Sequence, residues 1–475
     1  MTKPFMYLAA LITVTGAAFA CAAATAADAR FGWRGDGTGR FPDASPPVKW
    51  SATENVAWKT PLPAGSNASP ILVGDRIFVC SETSTLLCIS AKDGTVLWSR
   101  STPLADTLPE HERQQALAEE AKAEEAARQV RNLQDARNEM SAAVIKQPGD
   151  AALKQKLDKF EDEIKDAASA LKALSPTILP KTCEDAGYAT PTPASDGKQV
   201  YVAFGTGIVA CYDLEGQRRW VRRLETHPST YSEPRLYGVQ ESPLLAGGQL
   251  LVHFLKLTAL EPATGKTHWE AEAPIHFGSP VRLRVGDTEA VVTACGDIFR
   301  TSDGKALASK IWPSEGLPLN TCCSPIAQGA MVYLVGKGGG AVRLTPSKDG
   351  GLATEKLWES KAIKDWCVAS PVFADGLLYT LQKGGKYIVL DASSGKSVSV
   401  ERLDIKGDNN YPSVVLAGPY LYVSNNAGET VVVKPGREFQ EVARNTLEPF
   451  YASLIFSGTR MYVRGQANLY CIGTK

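Results

Sequence analysis

One short pattern returns along most of the chain and limits what it can fold into. "SPILVGDRIFV" begins at Ser69, "TPASDGKQVYV" at Thr192 and "SPLLAGGQLLV" at Ser242. "SPVRLRVGDTEAVV" follows at Ser279, "SPIAQGAMVYL" at Ser324 and "SPVFADGLLYT" at Ser370. Looser copies, "YPSVVLAGPYLYV" and "YASLIFSGTRMYV", start at Tyr411 and Tyr451. These are about eight units, most of them roughly 37 to 50 residues apart, the spacing of propeller blades. Each copy is an apolar run, a Gly-containing turn and a second apolar run, which is the pattern of a β-hairpin. Proline is tolerated at the first strand position because its missing N–H need not join a ladder there. Both runs are almost continuously apolar, as in strands covered on both faces.

A second half-motif follows each hairpin. "CISAKDGTVLW" ends at Trp98, "CYDLEGQRRW" at Trp220 and "ALEPATGKTHW" at Trp269, while "VLDASSGKSVSV" lacks the Trp. An acidic residue and then Gly mark the turn between the last two strands of a unit. The Trp supplies a large apolar plate for the neighbouring blade. Trp312 and Trp358 are assigned the same phase. The last unit has three strands and then the chain stops, while "ENVAWKTPLP" around Trp58 is a Trp strand with no hairpin before it. Together they complete one blade and remove two exposed edges. The sequence therefore predicts an all-β, eight-bladed propeller of four-stranded blades, closed by its N-terminal strand.

Between Leu104 and Ser175 the composition changes to Ala, Glu, Lys, Arg and Gln. Thr107-Leu108-Pro109-Glu110 resembles a capping box, and Gln147-Pro148-Gly149-Asp150 marks a break and restart. Leu153, Leu157, Phe160, Ile164, Leu171 and Leu174 keep 3/4 spacing, and Val130, Leu133, Met140 and Val144 form a weaker stripe. This predicts an inserted α-helical coiled-coil hairpin standing on one face of the disc, independent of the core. The organisation is then 1–27 signal peptide, 28–103 N-terminal segment with closing strand and first blade, 104–176 helical hairpin, and 177–475 the remaining blades.

The signal-peptide assignment rests on an early Lys, the apolar run from Phe5 to Ala20 and the small residues that follow. The protein is expected to be exported, periplasmic or extracellular, with a membrane attachment only if Cys21 is lipidated. Its formal charge of zero argues against nucleic acid as a partner. Export permits disulfides, and the hairpin centred on Ser84 would set Cys80 directly opposite Cys88. No Cys-x-x-Cys, His-x-x-His or Gly-x-Ser-x-Gly occurs, so no metal or nucleophile motif is present.

Residues just before each Ser-Pro lie at the mouth of a propeller's central channel, where a ligand would bind. They are Asn67, Gln240, Glu241, His276, Asn320, Cys322, Cys323, Trp366, Cys367, Asn410 and Tyr411. Adjacent cysteines such as Cys322-Cys323 can form a ring disulfide, bind a metal or simply be buried.

"ATGKTHW" and "DASSGK" resemble the signature of the PQQ-repeat propeller superfamily, in which an Asp strand end is followed by Thr/Ser-Gly-Lys and Trp. The opening from Phe31 to Pro70 is similar to that of exported members found in planctomycete-type bacteria. The resemblance covers 31–100 and 188–471. The superfamily includes BamB-like assembly scaffolds and quinoprotein alcohol dehydrogenases. It implies a non-catalytic scaffold without cofactor or metal, holding a protein partner through the propeller face or the helical hairpin. A second reading it implies is a quinoprotein oxidoreductase, with pyrroloquinoline quinone and calcium beside a Cys322-Cys323 ring disulfide. A third, from the polar channel mouth, is a carbohydrate- or peptide-binding module.

Overall fold

The computed structural model describes residues 31–147, 149–173, 180, 186–226, 239–275, 277–312, 322–365, 367–406 and 410–473. Eight sheets follow one another around an axis. Blade 1 spans 71–101, blade 2 194–223, blade 3 244–271, blade 4 281–308, blade 5 326–359, blade 6 372–402, blade 7 415–446 and blade 8 455–472. Within blades 1 to 7 the four strands pair in chain order, all antiparallel. Blade 8 takes its fourth strand, Val56–Pro61, from the N-terminal region, with Trp58 opposite Cys471. The closing strand is therefore where the sequence placed it.

The innermost strand of every blade starts at a Ser or Thr and runs to a Gly-bearing turn. That start defines a rim face, which also carries the turns between second and third strands and the blade-to-blade connections. The other end is the turn face.

At the rim end of the inner strands the repeated hydroxyls form a near-complete ring. The backbone N–H of each donates to the hydroxyl of the next blade, from Ser69 to Thr192 at 3.0 Å, Thr192 to Ser242 at 3.0 Å and Ser242 to Ser279 at 2.9 Å. Ser324 donates to Ser370 at 3.0 Å, Ser413 to Ser453 at 3.0 Å and Ser453 back to Ser69 at 2.9 Å. The links from blade 4 to 5 and from blade 6 to 7 are not made. The Ser/Thr of the repeat is thus a seam bond, small enough for the crowded axis and able to satisfy an N–H that no ladder reaches.

Outer-strand tryptophans fasten the same seams further out. Trp58 donates its indole N–H to Ala91 O, Trp98 to Leu214 O, Trp220 to Pro262 O, Trp269 to Thr301 O and Trp358 to Ala392 O. Each ring lies over a positive-φ glycine of the next blade's last turn. A Cβ on Gly216 would sit 2.7 Å from Trp98, and one on Gly265 2.6 Å from Trp220. The Gly of the repeat is thus required twice, for the turn and for the indole above it.

Trp312 departs from this. The phase set by Gly304 and the outer strand Ala306–Ala308 falls on Ala308, and Trp312 lies beyond the strand. Its indole reaches Gly338 O at 2.9 Å, in the rim turn of blade 5, with Lys356 over its ring. Blade 7 has no Trp in its outer strand. Trp50, from the N-terminal region, is buried there instead, stacked on Tyr422, with its backbone N–H donating to Asn445 Oδ1.

Cys80 and Cys88 are not opposed. The register pairs Cys80 with Leu86 and Phe78 with Cys88, because the turn is centred on Thr83 and not Ser84. The two cysteines are diagonal on one face, a separation of roughly 7–8 Å for such neighbours. Both are free thiols packed in the seam between blades 1 and 2, where burial pushes each up to about 12.

The insertion forms α1 (Glu110–Lys146) and α2 (Ala151–Ala173), which pack on each other. Asp150 caps α2 through the N–H groups of Ala152 and Leu153. The expected capping box is absent. Leu104–Thr107 is a 3-10 turn, Thr107 donates to Leu104 O, and α1 begins after Pro109 with no side-chain cap. Nor is the root of α1 independent of the core. Among the described residues α2 is shorter than α1, and the first turns of α1 lie on the propeller. Ala123 shares a cluster with Leu104, Phe204 and Tyr188, and the buried Glu120 carboxylate accepts from Leu104 N. Asp106 pairs with Arg218 of blade 2.

Burial holds the Glu120 carboxyl up at about 7, against an ordinary 4.5, with Glu124 and Asp106 adding to the effect. Glu120 binds its proton more tightly folded than unfolded, so its contribution is full below the unfolded pKa and is lost as pH rises through the folded one. Stability should fall by at most about 3 kcal/mol between those values. Glu120→Gln should flatten that part of a melting-temperature profile against pH, and a variant with the parent's slope would remove Glu120 as its source.

Candidate functional site

The rim residues singled out in the sequence do not form one constellation. His276, Asn320 and Trp366 lie outside the described residues. Of the rest, Glu241, Cys323, Cys367 and Asn410 are buried, while Asn67, Gln240, Cys322 and Tyr411 are half-buried.

Glu241 turns into blade 3. Its carboxylate meets His253 Nδ1 at 2.8 Å, and Nε2 of the same ring lies 3.3 Å from Ala273 O. The carboxylate holds the imidazole pKa above its usual value although burial opposes this. Removed from water and satisfied from both sides, this is a structural pair.

Cys322 and Cys323 are separate thiols. Cys323 points into the seam between blades 5 and 6, donating to Cys367 O at 2.9 Å and Ala369 O at 3.3 Å. Cys367 in turn reaches Leu381 O at 3.4 Å. Burial pushes the Cys322 thiol up to about 12 and the Cys323 thiol higher than usual as well. Thiols this protonated are poor nucleophiles and poor metal ligands. Among the described residues no group of three or more His, Cys, Asp or Glu gathers to hold a metal ion.

Asn410 donates to Gln382 O at 3.0 Å. Its Oδ1 and both polar atoms of the Gln382 side chain have no partner. Tyr411 lies against Tyr451 with ring centroids 4.9 Å apart.

The axis itself is filled by a part of the chain that carries no repeat. Residues 31–41 form a loop inserted into the channel from the turn face. Phe31 bridges to Ser195 on blade 2, and Arg40–Phe41 runs parallel to the inner strand of blade 7. Gly32 and Gly35 exchange backbone hydrogen bonds at 2.8 and 3.0 Å, so the loop turns back at Trp33-Arg34. Arg34 stands at the turn with φ of 55° and is only 1% exposed. Its guanidinium donates to Pro371 O and Val414 O, both at 2.8 Å, at the blade 6–7 seam where the hydroxyl ring is open. Gly39 lets the guanidinium lie against the backbone, since a Cβ there would be 2.2 Å from Nη2. Burial lowers the Arg34 pKa to about 10, so it stays a cation at neutral pH.

A quinone with calcium does not fit the described residues. The adjacent thiols are not joined, Cys323 faces a seam, Glu241 is bound to His253, and the chain's own loop occupies the axis.

The loop leaves a cavity of about 220 Å³ on one side, between Trp33, Asp36 and Arg40 and the inner strands of blades 3 to 5. Sequence reasoning missed this site. Its only sequence signal was "RGD" at 34–36 in a Gly-rich stretch, which suggests a turn and nothing more.

Among solved structures the chain is similar to BamB from Moraxella catarrhalis, with 11% identity and a TM-score of 0.54, over 88% of this chain and 98% of that one. It is also similar to quinohemoprotein alcohol dehydrogenase from Comamonas testosteroni, with 10% identity and a TM-score of 0.49, over 94% of this chain and 81% of that one. At such identities the likeness concerns the fold alone. No curated protein matches the sequence. The family model described as outer membrane protein assembly factor BamB matches residues 47–143 and 233–429, more than half of the chain. With eight blades, five of whose seams are fastened by the Trp and Gly of the repeat, the chain belongs to this BamB-like family of propellers.

Proposed function

We propose that this chain is an exported, non-catalytic scaffold that binds a protein partner through its rim face and helical hairpin, in the outer membrane protein assembly that its family's description names. The observation that carries this reading is the filled axis. A loop pinned by Arg34 occupies the place where a propeller enzyme would hold a cofactor, and the rim thiols and Glu241 turn into the blades. What is left for a partner is outer surface. The hairpin follows the outer strand of blade 1 and leaves from the rim face. Its shorter helix, α2, is about 35 Å long at 1.5 Å per residue. No helix among the described residues is long and apolar enough to cross a membrane.

The test separates the arm from its root. Replacing 125–172 by a short Gly-Ser linker keeps Ala123, Glu120 and the 3-10 turn. The melting temperature should stay within a few degrees of the parent, while photocrosslinks from hairpin positions to one discrete envelope protein should disappear. Excising from Leu104 onward should cost stability as well, because Leu104 and Ala105 are fully buried. Stoichiometric uptake of quinone in the presence of calcium would overturn the scaffold reading.

A further inference from the structure

We infer that the cavity beside the inserted loop is a binding site for a small oxyanion, a carboxylate or a phosphoryl group, entered from the face opposite the helical hairpin. The first support is charge. Arg40 and Arg282 both line the cavity, and Arg34 belongs to the same loop, its guanidinium bonded at the blade 6–7 seam. Asp36 is the only carboxylate in the lining, and its Oδ1 is already committed to the N–H and hydroxyl of Thr38. Arg282 crosses from the inner strand of blade 4 to donate to Asp36 O at 2.6 Å, which holds its guanidinium at the wall.

The second support is independent of the lining. Arg34 is a fully buried cation whose hydrogen-bond acceptors are two carbonyls, with no carboxylate bonded to it. Its Nε is buried without a partner, and so is Ser324 Oγ at the ring's other open seam, between blades 4 and 5. The Arg34 charge is offset by Asp36 of the same loop without a bond between them, and a further anion nearby would add to that. Guanidinium forks match the planar geometry of carboxylate and phosphoryl oxygens.

Size and shape narrow the ligand. A volume of about 220 Å³ is room for a small organic acid and not for a folded partner. The Trp33 indole forms one wall and Gln328 another, so a flat or short-chain body can lie against the ring with its anionic end towards the arginines.

The experiment uses the full chain and four probes: citrate and succinate for carboxylates, inorganic phosphate and phenyl phosphate for phosphoryl groups. Binding is read by calorimetry and by Trp fluorescence, with Trp33→Phe identifying the reporting ring. One probe class should bind saturably at one per chain, more weakly as salt rises. Arg282→Gln and Arg40→Gln should each weaken it by roughly ten- to a hundredfold, the loss of one charge-assisted contact. Arg40 is exposed, so its variant keeps the test valid if Arg282→Gln fails to fold. No saturable binding of any probe at millimolar concentration, or binding that both Arg variants leave unchanged, would overturn the inference. Since the scaffold reading concerns the opposite face, loss of hairpin crosslinks would leave this result untouched.

Discussion

A chain that starts at Leu62 should lose its cooperative thermal transition. That truncation removes the closing strand, the channel loop and Trp50 together. The strand Asn468–Ile472 would regain an open edge, and the blade 8–1 seam would lose the Trp58 indole over Gly94. Trp50 leaves the blade 7–8 seam, and the buried Arg34 contacts to blades 6 and 7 go as well. Deleting one buried Trp costs about 3–5 kcal/mol, and whole domains are stable by only about 5–15 kcal/mol. Two such losses, about 6–10 kcal/mol at most since Trp58 is half-buried, with a strand added, are comparable with that whole margin. Circular dichroism should show a broad, early melt with dye-binding apolar surface, and a synthetic 31–62 peptide added in trans should restore a sharp transition. A truncated chain that melts like the parent would show that the other seven blades hold without closure.

The next largest effect should come from the Trp98–Gly216 pair. Trp98→Ala removes a half-buried indole and its bond to Leu214 O, at a cost of about 3–4 kcal/mol, towards the lower end for a buried Trp. Gly216→Ala places a methyl 2.7 Å from that indole at φ of 84°, and overpacking with backbone strain should cost about 2–4 kcal/mol. The two changes should not add. With the indole gone the methyl has room, so the double variant should be about 1–2 kcal/mol more stable than the sum of the singles, the backbone strain remaining. Strict additivity in urea unfolding would mean that the Gly serves only its turn.

The blades were legible because their signals are local. An apolar run, Gly and a second apolar run specify a hairpin within a dozen residues, and Trp four positions after Gly places the outer strand. The closing strand could be inferred from a missing partner at the other end of the chain. What stayed hidden depends on distance or on a single-residue shift. The Cys80 register failed because a turn centred on Thr83 instead of Ser84 changes every partner across the hairpin. Trp312 lies outside the repeat's phase because Ala308 takes the position four residues after Gly304. The loop at 31–41 has no periodicity, since its contacts lie with blades 2, 4, 6 and 7, far along the chain. The directions of the rim side chains follow from seam packing, which no pattern in the chain records.

The clasp strand is also first made and last used. Ser69 and Ser453, bonded across the final seam, are 384 residues apart, and the closing strand pairs over a still longer separation. Contacts this remote form late, after the cost of closing a long loop has been met. During synthesis the segment 31–61 therefore waits with its backbone groups unpaired and Trp50 and Trp58 uncovered, while seven blades take shape behind it. If the chain is threaded through a membrane from its N-terminus, as an exported protein is, this segment emerges first and spends the longest time exposed. The ring's stability once closed and its vulnerability before closure thus arise from the same thirty residues.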